Sequence, residues 1–379
     1  MVGTVEKYGA SWRIRWDAGL KPNGKRDQRS RAGFRTKRDA ETTLHSELAK
    51  VRTGGVADSK LTVGSYLDDW LKSRASLRVT TMSSYGTHIK LYFKPHLGGR
   101  PLTSLQPSHL DQMYAKIAID KPDLSDATVG RIHATLHNAL REAVKRRLIN
   151  HNPADQVELR SANTQERSIW TPQQLALFLA TSASDRLGFA YRLLAMTGLR
   201  RGETLGLRWQ DVDLDHGSLR VVQQLVDVNG RLHFGPPKTK KGARTLAVDT
   251  ATTSALRQHR AAQNRERLAW GSAYKNNDLV FTREDGSPVR PSHLTRHMKV
   301  LAKRAGLPLL TPHGLRHTHA SHALAAGVDL KTVSARLGHS TNCADGEHLL
   351  PRDACRGPGG RRERGLTSGL ERESTVKVS

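Results

Sequence analysis

Apolar residues alternate with arginines near the start of the chain. In SWRIRWDAG, Trp12, Ile14 and Trp16 fall on one side of an extended segment, and Arg13 and Arg15 on the other, which predicts a strand. A second extended stretch is expected around Gln28 to Arg35. Thr36 has the form of an N-cap with Asp39 three residues on, and Ala40, Leu44, Leu48 and Val51 then recur at helical spacing until Gly54 and Gly55. Residues 1–55 therefore read as a short antiparallel sheet backed by one helix. After the linker GGVADSK the pattern is helical. Val63, Tyr66, Leu67, Trp70 and Leu71 make one stripe, Met82, Tyr85, Ile89 and Tyr92 a second, and Leu110, Met113, Tyr114 and Ile117 a third behind Pro107. The longest stripe runs from about Asp126 to Arg147, before NHNPAD breaks it. These stripes predict the core of a helical domain over 58–158.

From Thr171-Pro172, a cap followed by proline in the first helical turn, helices and strands alternate unevenly. A helix through Leu193, Leu194 and Met196 is expected to stop at Gly198. Leu219 to Val226 reads as one strand, Asn229-Gly230 as a tight hairpin turn and Arg244 to Val248 as a further strand. Helices are then expected over Thr250 to Leu268, Pro291 to Ala305, Thr311 to Ala326 and Asp329 to Leu337. The fold class is mainly α with small β-sheets.

Composition narrows the partners. With 37% hydrophobic and 25% charged residues, the 379-residue chain has a globular make-up with room for two or three domains. Its 61 Lys+Arg against 35 Asp+Glu leave a net charge of +26, which favours a polyanion through phosphate contacts and counterion release. Residues 1–55 hold 13 Lys+Arg and 6 Asp+Glu, a net +7, as a DNA-reading sheet would; a solvated sheet face is the alternative. No apolar run reaches membrane-spanning length and the first residues lack the apolar segment of a signal peptide, so a cytoplasmic protein is expected. Cys343 and Cys355 are the only cysteines, too few for a disulfide framework or a four-cysteine zinc site.

Three stretches, TGLRRGETLGLRW, GPPKTKKGARTLAV and TPHGLRHTHASHALAAGVDLKTVSARLGHS, resemble blocks of the tyrosine recombinase, or phage integrase, family in the family's order. The resemblance spans nearly the whole chain. It implies an arm-type DNA-binding domain of three strands plus a helix over 1–55, a helical core-binding (SAM-like) domain over 58–158 and a mixed α/β catalytic domain over 166–350. It further implies double-stranded DNA as partner, with core and arm sites, a homo-oligomer on DNA that is a tetramer in the family, and no cofactor or metal. In the family a tyrosine hydroxyl attacks a DNA phosphodiester, leaving a 3′-phosphotyrosyl enzyme and a 5′-hydroxyl that later attacks in turn. Arg200 and Arg316 match the positions whose guanidiniums, always ionised and bidentate, hold the charge gathering on the non-bridging oxygens. His313, three residues before Arg316, matches a donor or proton carrier, and His339 in LGHS a further donor. Lys238 fits the lysine that protonates the leaving 5′-oxygen, with Lys240 and Lys241 as neighbouring alternatives, and Glu203 fits an acidic position that orients Arg200. A lone Arg or His in so basic a chain is ordinarily a surface residue; the joint pattern outweighs that. His313, His317, His319 and His322 have spacings that suit a metal, but no carboxylate cluster accompanies them.

The ending departs from the family. About ten residues after LGHS the family places its nucleophilic tyrosine, whereas no tyrosine follows Tyr274 here and Gly346-Glu347 occupies roughly the place. His348-Leu349-Leu350-Pro351 still resembles the segment past the tyrosine, and the Arg/Gly/Ser-rich residues 351–379 read as an aberrant, disordered tail. A change of reading frame after Ser340 would account for this. Translating the encoding DNA in the other two frames is then expected to give a tyrosine-bearing helix. The expected function is a site-specific DNA integrase by descent that binds DNA but is defective in strand cleavage. The alternatives are an enzyme that receives a tyrosine from another protomer and a non-catalytic DNA-binding regulator or accessory factor.

Overall fold

Strands β1 (Gly3–Tyr8), β2 (Ser11–Leu20) and β3 (Arg26–Phe34) form an antiparallel sheet in that order, with Ile14 of β2 opposite Val5 and Arg31. The computed structural model describes residues 3–20, 26–52, 61–161 and 168–338. They belong to two compact units, divided between Gln165 and Glu166. The alternation in β2 sorts its side chains as the sequence predicts: Ile14 and Trp16 are buried with Ala40 and Leu44 of α1 (Lys37–Arg52), while Arg13 and Arg15 lie on the other face and both pair with Glu6 of β1. The Asp39 N–H donates to Thr36 Oγ1 at 3.1 Å, which fixes the start of α1. The linker over 53–60 lies outside the described residues.

The helical part comprises α2 (Val63–Lys72), α3 (Val79–His88), α4 (Lys94–Leu97), α5 (Pro107–Asp120) and α6 (Asp126–Lys145). Val63, Tyr66, Leu67 and Trp70 of α2 share one core with Leu110, Met113 and Ile117 of α5 and Ile132, Leu136 and Leu140 of α6. The second stripe is less regular than the sequence predicts. Met82 and Tyr85 are only half-buried on α3, and the chain then widens into a π-turn over Ile89–Phe93, where Ile89, Tyr92 and Phe93 are buried. Pro95 is the physical reason: it has no N–H to give to the turn before it, and the Lys94 N–H reaches back to the Ile89 carbonyl instead.

In the second unit come α7 (Pro172–Thr181), α8 (Gly188–Thr197) and α9 (Arg201–Gly206). Strands β4 (Val212–Asp213), β5 (Ser218–Val221), β6 (Gln224–Val228), β7 (Arg231–Gly235) and β8 (Arg244–Ala247) follow, then α10 (Thr250–Trp270), α11 (Pro291–Arg304), α12 (Pro312–Ala325) and α13 (Leu330–Leu337). One antiparallel sheet has the order β4-β5-β8, and β6 and β7 form a separate hairpin. The single strand expected over Leu219 to Val226 is therefore two, in different sheets. The break falls at Val222 and Gln223, where the Gln223 side-chain amide donates to the Gly206 carbonyl at 2.8 Å and turns the chain from one sheet to the other. Asn229 and Gly230 take positive φ, 52° and 80°, and close the β6–β7 turn. The core packs Trp170, Phe178, Tyr191 and Phe281 among leucines from α8, α9 and α11. No helix among the described residues is long and apolar enough to cross a membrane.

The Tyr66 hydroxyl donates to the Ala139 carbonyl of α6 at 2.6 Å inside the helical core, and burial raises its pKa to about 12. Tyr66→Phe should lower stability by about 1 kcal/mol, the usual net worth of one such bond, measured as a shift of the urea midpoint without a change of slope.

Candidate functional site

Two helices end alike, and the site is built where their ends come together. Helix α8 stops at Gly198 with φ 64°, and α13 stops at Gly338 with φ 67°. A Cβ at Gly198 would stand 2.6 Å from Leu337 Cδ2 and 2.7 Å from His319 Cδ2, and one at Gly338 would stand 3.0 Å from the Lys241 carbonyl and 3.1 Å from Arg244 Nη1. Left-handed backbone and close approach thus both require glycine at these two positions.

Arg200 sits two residues past Gly198 and caps α9. Its N–H donates to Glu203 Oε2 at 2.9 Å and its Nη1 to Glu203 Oε1 at 2.7 Å, so the carboxylate in the first turn fixes both ends of the arginine. The last carbonyls of α13 have no intrahelical donors and carry the negative end of the helix dipole. Three arginines satisfy them in succession: Arg244 Nε donates to Arg336 O at 2.6 Å, Arg316 Nη2 to Leu337 O at 2.7 Å and Arg200 Nη2 to Gly338 O at 3.2 Å. Arg316 Nη1 also donates to Gly198 O at 2.7 Å, which ties the two helix ends together. Arg316 is buried on α12. Burial, then the charges of Arg200 and Arg244, push its pKa down to about 9 against the pull of Glu203, so it stays charged at neutral pH.

Glu203 is the counter-charge, with a side chain 1% exposed and bridged to Arg200 and Arg244. Burial alone would raise its carboxyl. The hydrogen bond and charge of Arg244, and after them the N–H and charge of Arg200, reverse this and hold it below the ordinary value.

Arg200 and Arg316 are thus brought to one place. His313 lies exposed in the first turn of α12, three residues before Arg316, with its Nε2 3.1 Å from that of His317. Lys238 is exposed in the loop between β7 and β8, and that loop reaches the end of α13 through the Lys241 carbonyl at Gly338. The Lys240 side chain, His339, Glu347, both cysteines and the tail over 351–379 lie outside the described residues. Of the other histidines, His319 Nδ1 donates to Ala195 O and His322 Nε2 to Trp170 O, each at 2.9 Å. Among the described residues no group of three His, Cys, Asp or Glu is placed to hold a metal. Arg244 is the member that the sequence pattern does not single out: among 61 Lys+Arg nothing local marks one that will be buried.

A sequence profile described as the phage integrase family matches residues 170–343. A "Tyrosine recombinase XerC-like" protein of Caldanaerobacter subterraneus is 30% identical over 351 residues, covering 87% of this chain and 89% of the relative. The integrase of Mycobacterium phage D29 is 28% identical, over 80% of this chain and 81% of its own. Among solved structures, lambda integrase, as a dimer bound to a COC′ core site, superposes with a TM-score of 0.58 at 20% identity, over 96% of this chain and 97% of that one. The Tn1549 transposon integrase (residues 82–397) with transposon right end DNA gives 0.65 at 22% identity, over 74% and 92%. This chain belongs to the phage integrase family, the tyrosine recombinases.

Glu203→Ala would leave Arg244 buried without its carboxylate and should cost about 3–5 kcal/mol, the range for breaking a buried pair, read by chemical denaturation. His319 supplies a pH test. Burial pushes its pKa from 6.5 down to about 4, opposed by the bond to Ala195 and aided by the charges of Arg336, Arg316 and His322. The unfolded chain then binds a proton that the folded one does not, so stability should fall as pH is lowered from 6.5 towards 4. His319→Gln keeps a donor for Ala195 and should give a flatter melting temperature across that window.

Proposed function

We propose that this chain is a site-specific DNA integrase that binds double-stranded DNA and holds a target phosphate without cutting the strand. In this reading residues 1–55 contact arm sites, 58–158 and 166–350 contact the core site, and the protein works as a homo-oligomer on DNA. Lambda integrase, whose fold this chain shares, has been seen as a dimer on a core site and as a tetramer on a Holliday junction. The observation that carries the reading is the convergence of Arg200, Arg244 and Arg316 on the three successive carbonyls at the end of α13.

A guanidinium fixed and open before DNA arrives needs no reorganisation when negative charge gathers on the phosphorus oxygens. Arg200, 30% exposed, would hold those oxygens as it stands, and Arg316, buried with its Nη atoms on the Gly198 and Leu337 carbonyls, would hold them once those carbonyls give way. His313, from the exposed first turn of α12, would donate to the phosphate or carry a proton, and His339 would add a donor. Lys238, from its exposed loop, would give a proton to the 5′-oxygen as it leaves; in the family the bond energy is conserved because a tyrosine–phosphorus bond forms as the phosphorus–5′-oxygen bond breaks. Lys240 and Lys241 are its alternatives in the same loop.

The missing step is the attack. No tyrosine follows Tyr274, and in a covalent mechanism the nucleophile acts with its partners as a unit, so losing it costs on the order of 10⁶ in rate. Glu347 would give an acyl phosphate that hydrolyses before a second strand could attack. The same observation favours a second reading, a DNA-binding regulator derived from an integrase.

A duplex carrying a nick beside the cleavage position, which traps any covalent intermediate, checks this. The expected result is a shifted band that denaturant fully disperses. A band that survives denaturant would show a working nucleophile and overturn the cleavage defect, and failure to shift duplex DNA at low salt would overturn the integrase reading itself.

A further inference from the structure

We propose that Arg244 is a positioning residue of the phosphate site: it clamps the end of α13 and the lysine-bearing loop to the Glu203–Arg200 pair, and so sets where Arg200 meets the phosphate. The proposal rests on the phosphate-binding reading given above.

Each of the three guanidinium nitrogens of Arg244 is spent inside the protein. Nε donates to Arg336 O at 2.6 Å, Nη1 to Gly242 O at 2.9 Å and Nη2 to Glu203 Oε2 at 3.0 Å. These acceptors belong to three separate parts of the chain, the last turn of α13, the β7–β8 loop and the first turn of α9. The side chain of Arg244 is 8% exposed, against 30% for Arg200. Arg200 is therefore open to a ligand on one side, whereas Arg244 is walled in. Its backbone is fixed as well, because it opens β8 opposite Val221 of β5.

The fork is what the position needs. A guanidinium is planar and presents its donors in fixed directions, so it can hold three acceptors in one plane, while an ammonium is a point charge on a flexible stem. Without Arg244 the oxygen Oε2 of Glu203 would lose its charged partner and keep only the Arg200 N–H, and the carbonyl of Arg336 would lose its donor. The carboxylate that orients the Arg200 guanidinium would then be held by Arg200 alone, and the pair would lose its tie through Arg244 to β8 and the end of α13. Gly338, whose carbonyl receives Arg200, packs directly against Arg244, so the acceptor end of the same bond would loosen too.

The test uses the full chain and a duplex that the chain itself selects from a random-sequence pool. Phosphate ethylation interference on that duplex reports, one phosphate at a time, which contacts binding requires. Wild type should show a set of required phosphates, and Arg200→Ala should lose one of them while keeping the rest. Arg244→Ala and Arg244→Lys should lose that same phosphate and leave the flanking ones unchanged, Lys failing because it keeps the charge but not the fork. If Arg200→Ala loses no phosphate, the phosphate-site reading fails. If Arg200→Ala loses one and both Arg244 variants retain it, that reading stands and the positioning role of Arg244 is overturned. Should Arg244→Ala melt below the assay temperature, Arg244→Lys decides alone: a retained signal overturns the role and a selective loss supports it.

Discussion

The end of helix α13 presents three carbonyls in a row that no helical donor can reach, and the second unit is organised around meeting that demand. Arg244, Arg316 and Arg200 come from a strand, a helix and a helix cap far apart in sequence, and each takes one of the three oxygens. A helix terminus left unsatisfied in the interior would cost far more than a surface one, and its dipole favours cations. The same carbonyls therefore gather three positive charges that would otherwise repel, and hold each in a set orientation.

Such a cluster is stable only with a counter-charge and with close packing. Glu203 provides the first, since its carboxylate bridges Arg200 and Arg244 and stays ionised despite burial. Gly198 and Gly338 provide the second, because a methyl group at either would strike the neighbouring helix end or the loop beside it. What results is a concentration of fixed positive charge at one helix end, next to the loop that carries Lys238 and Lys241. Family membership and this charge cluster are separate findings, and no tyrosine follows Tyr274 in the sequence.

Much of the fold was legible in the order of residues. Alternation fixed the buried face of β2, the Thr36 and Thr171 caps marked the starts of α1 and α7, and Asn229-Gly230 marked a turn. Legibility failed where a distant partner overruled the local pattern. Leu219 to Val226 carries an apolar pattern suited to one strand, yet Gly206 captures Gln223 and splits it. The stripe through Tyr85 and Ile89 looks like one α-helix, yet Pro95 forces a wider turn. Neither contest could be weighed from spacing alone.

The site divides along the same line. Sequence by itself determined which groups are available: the motifs around Arg200, Lys238, His313 and Arg316, the glycines that end two helices, and the absence of a late tyrosine. These are local, since a motif carries its residue types and a left-handed cap needs its glycine wherever it occurs. Only the tertiary structure decided that Arg244 joins them, that Glu203 serves two arginines, and that one helix end collects all three guanidiniums. Those facts depend on contacts between residues 21 to 138 positions apart, and no pattern within a few turns of chain can encode where such partners will meet.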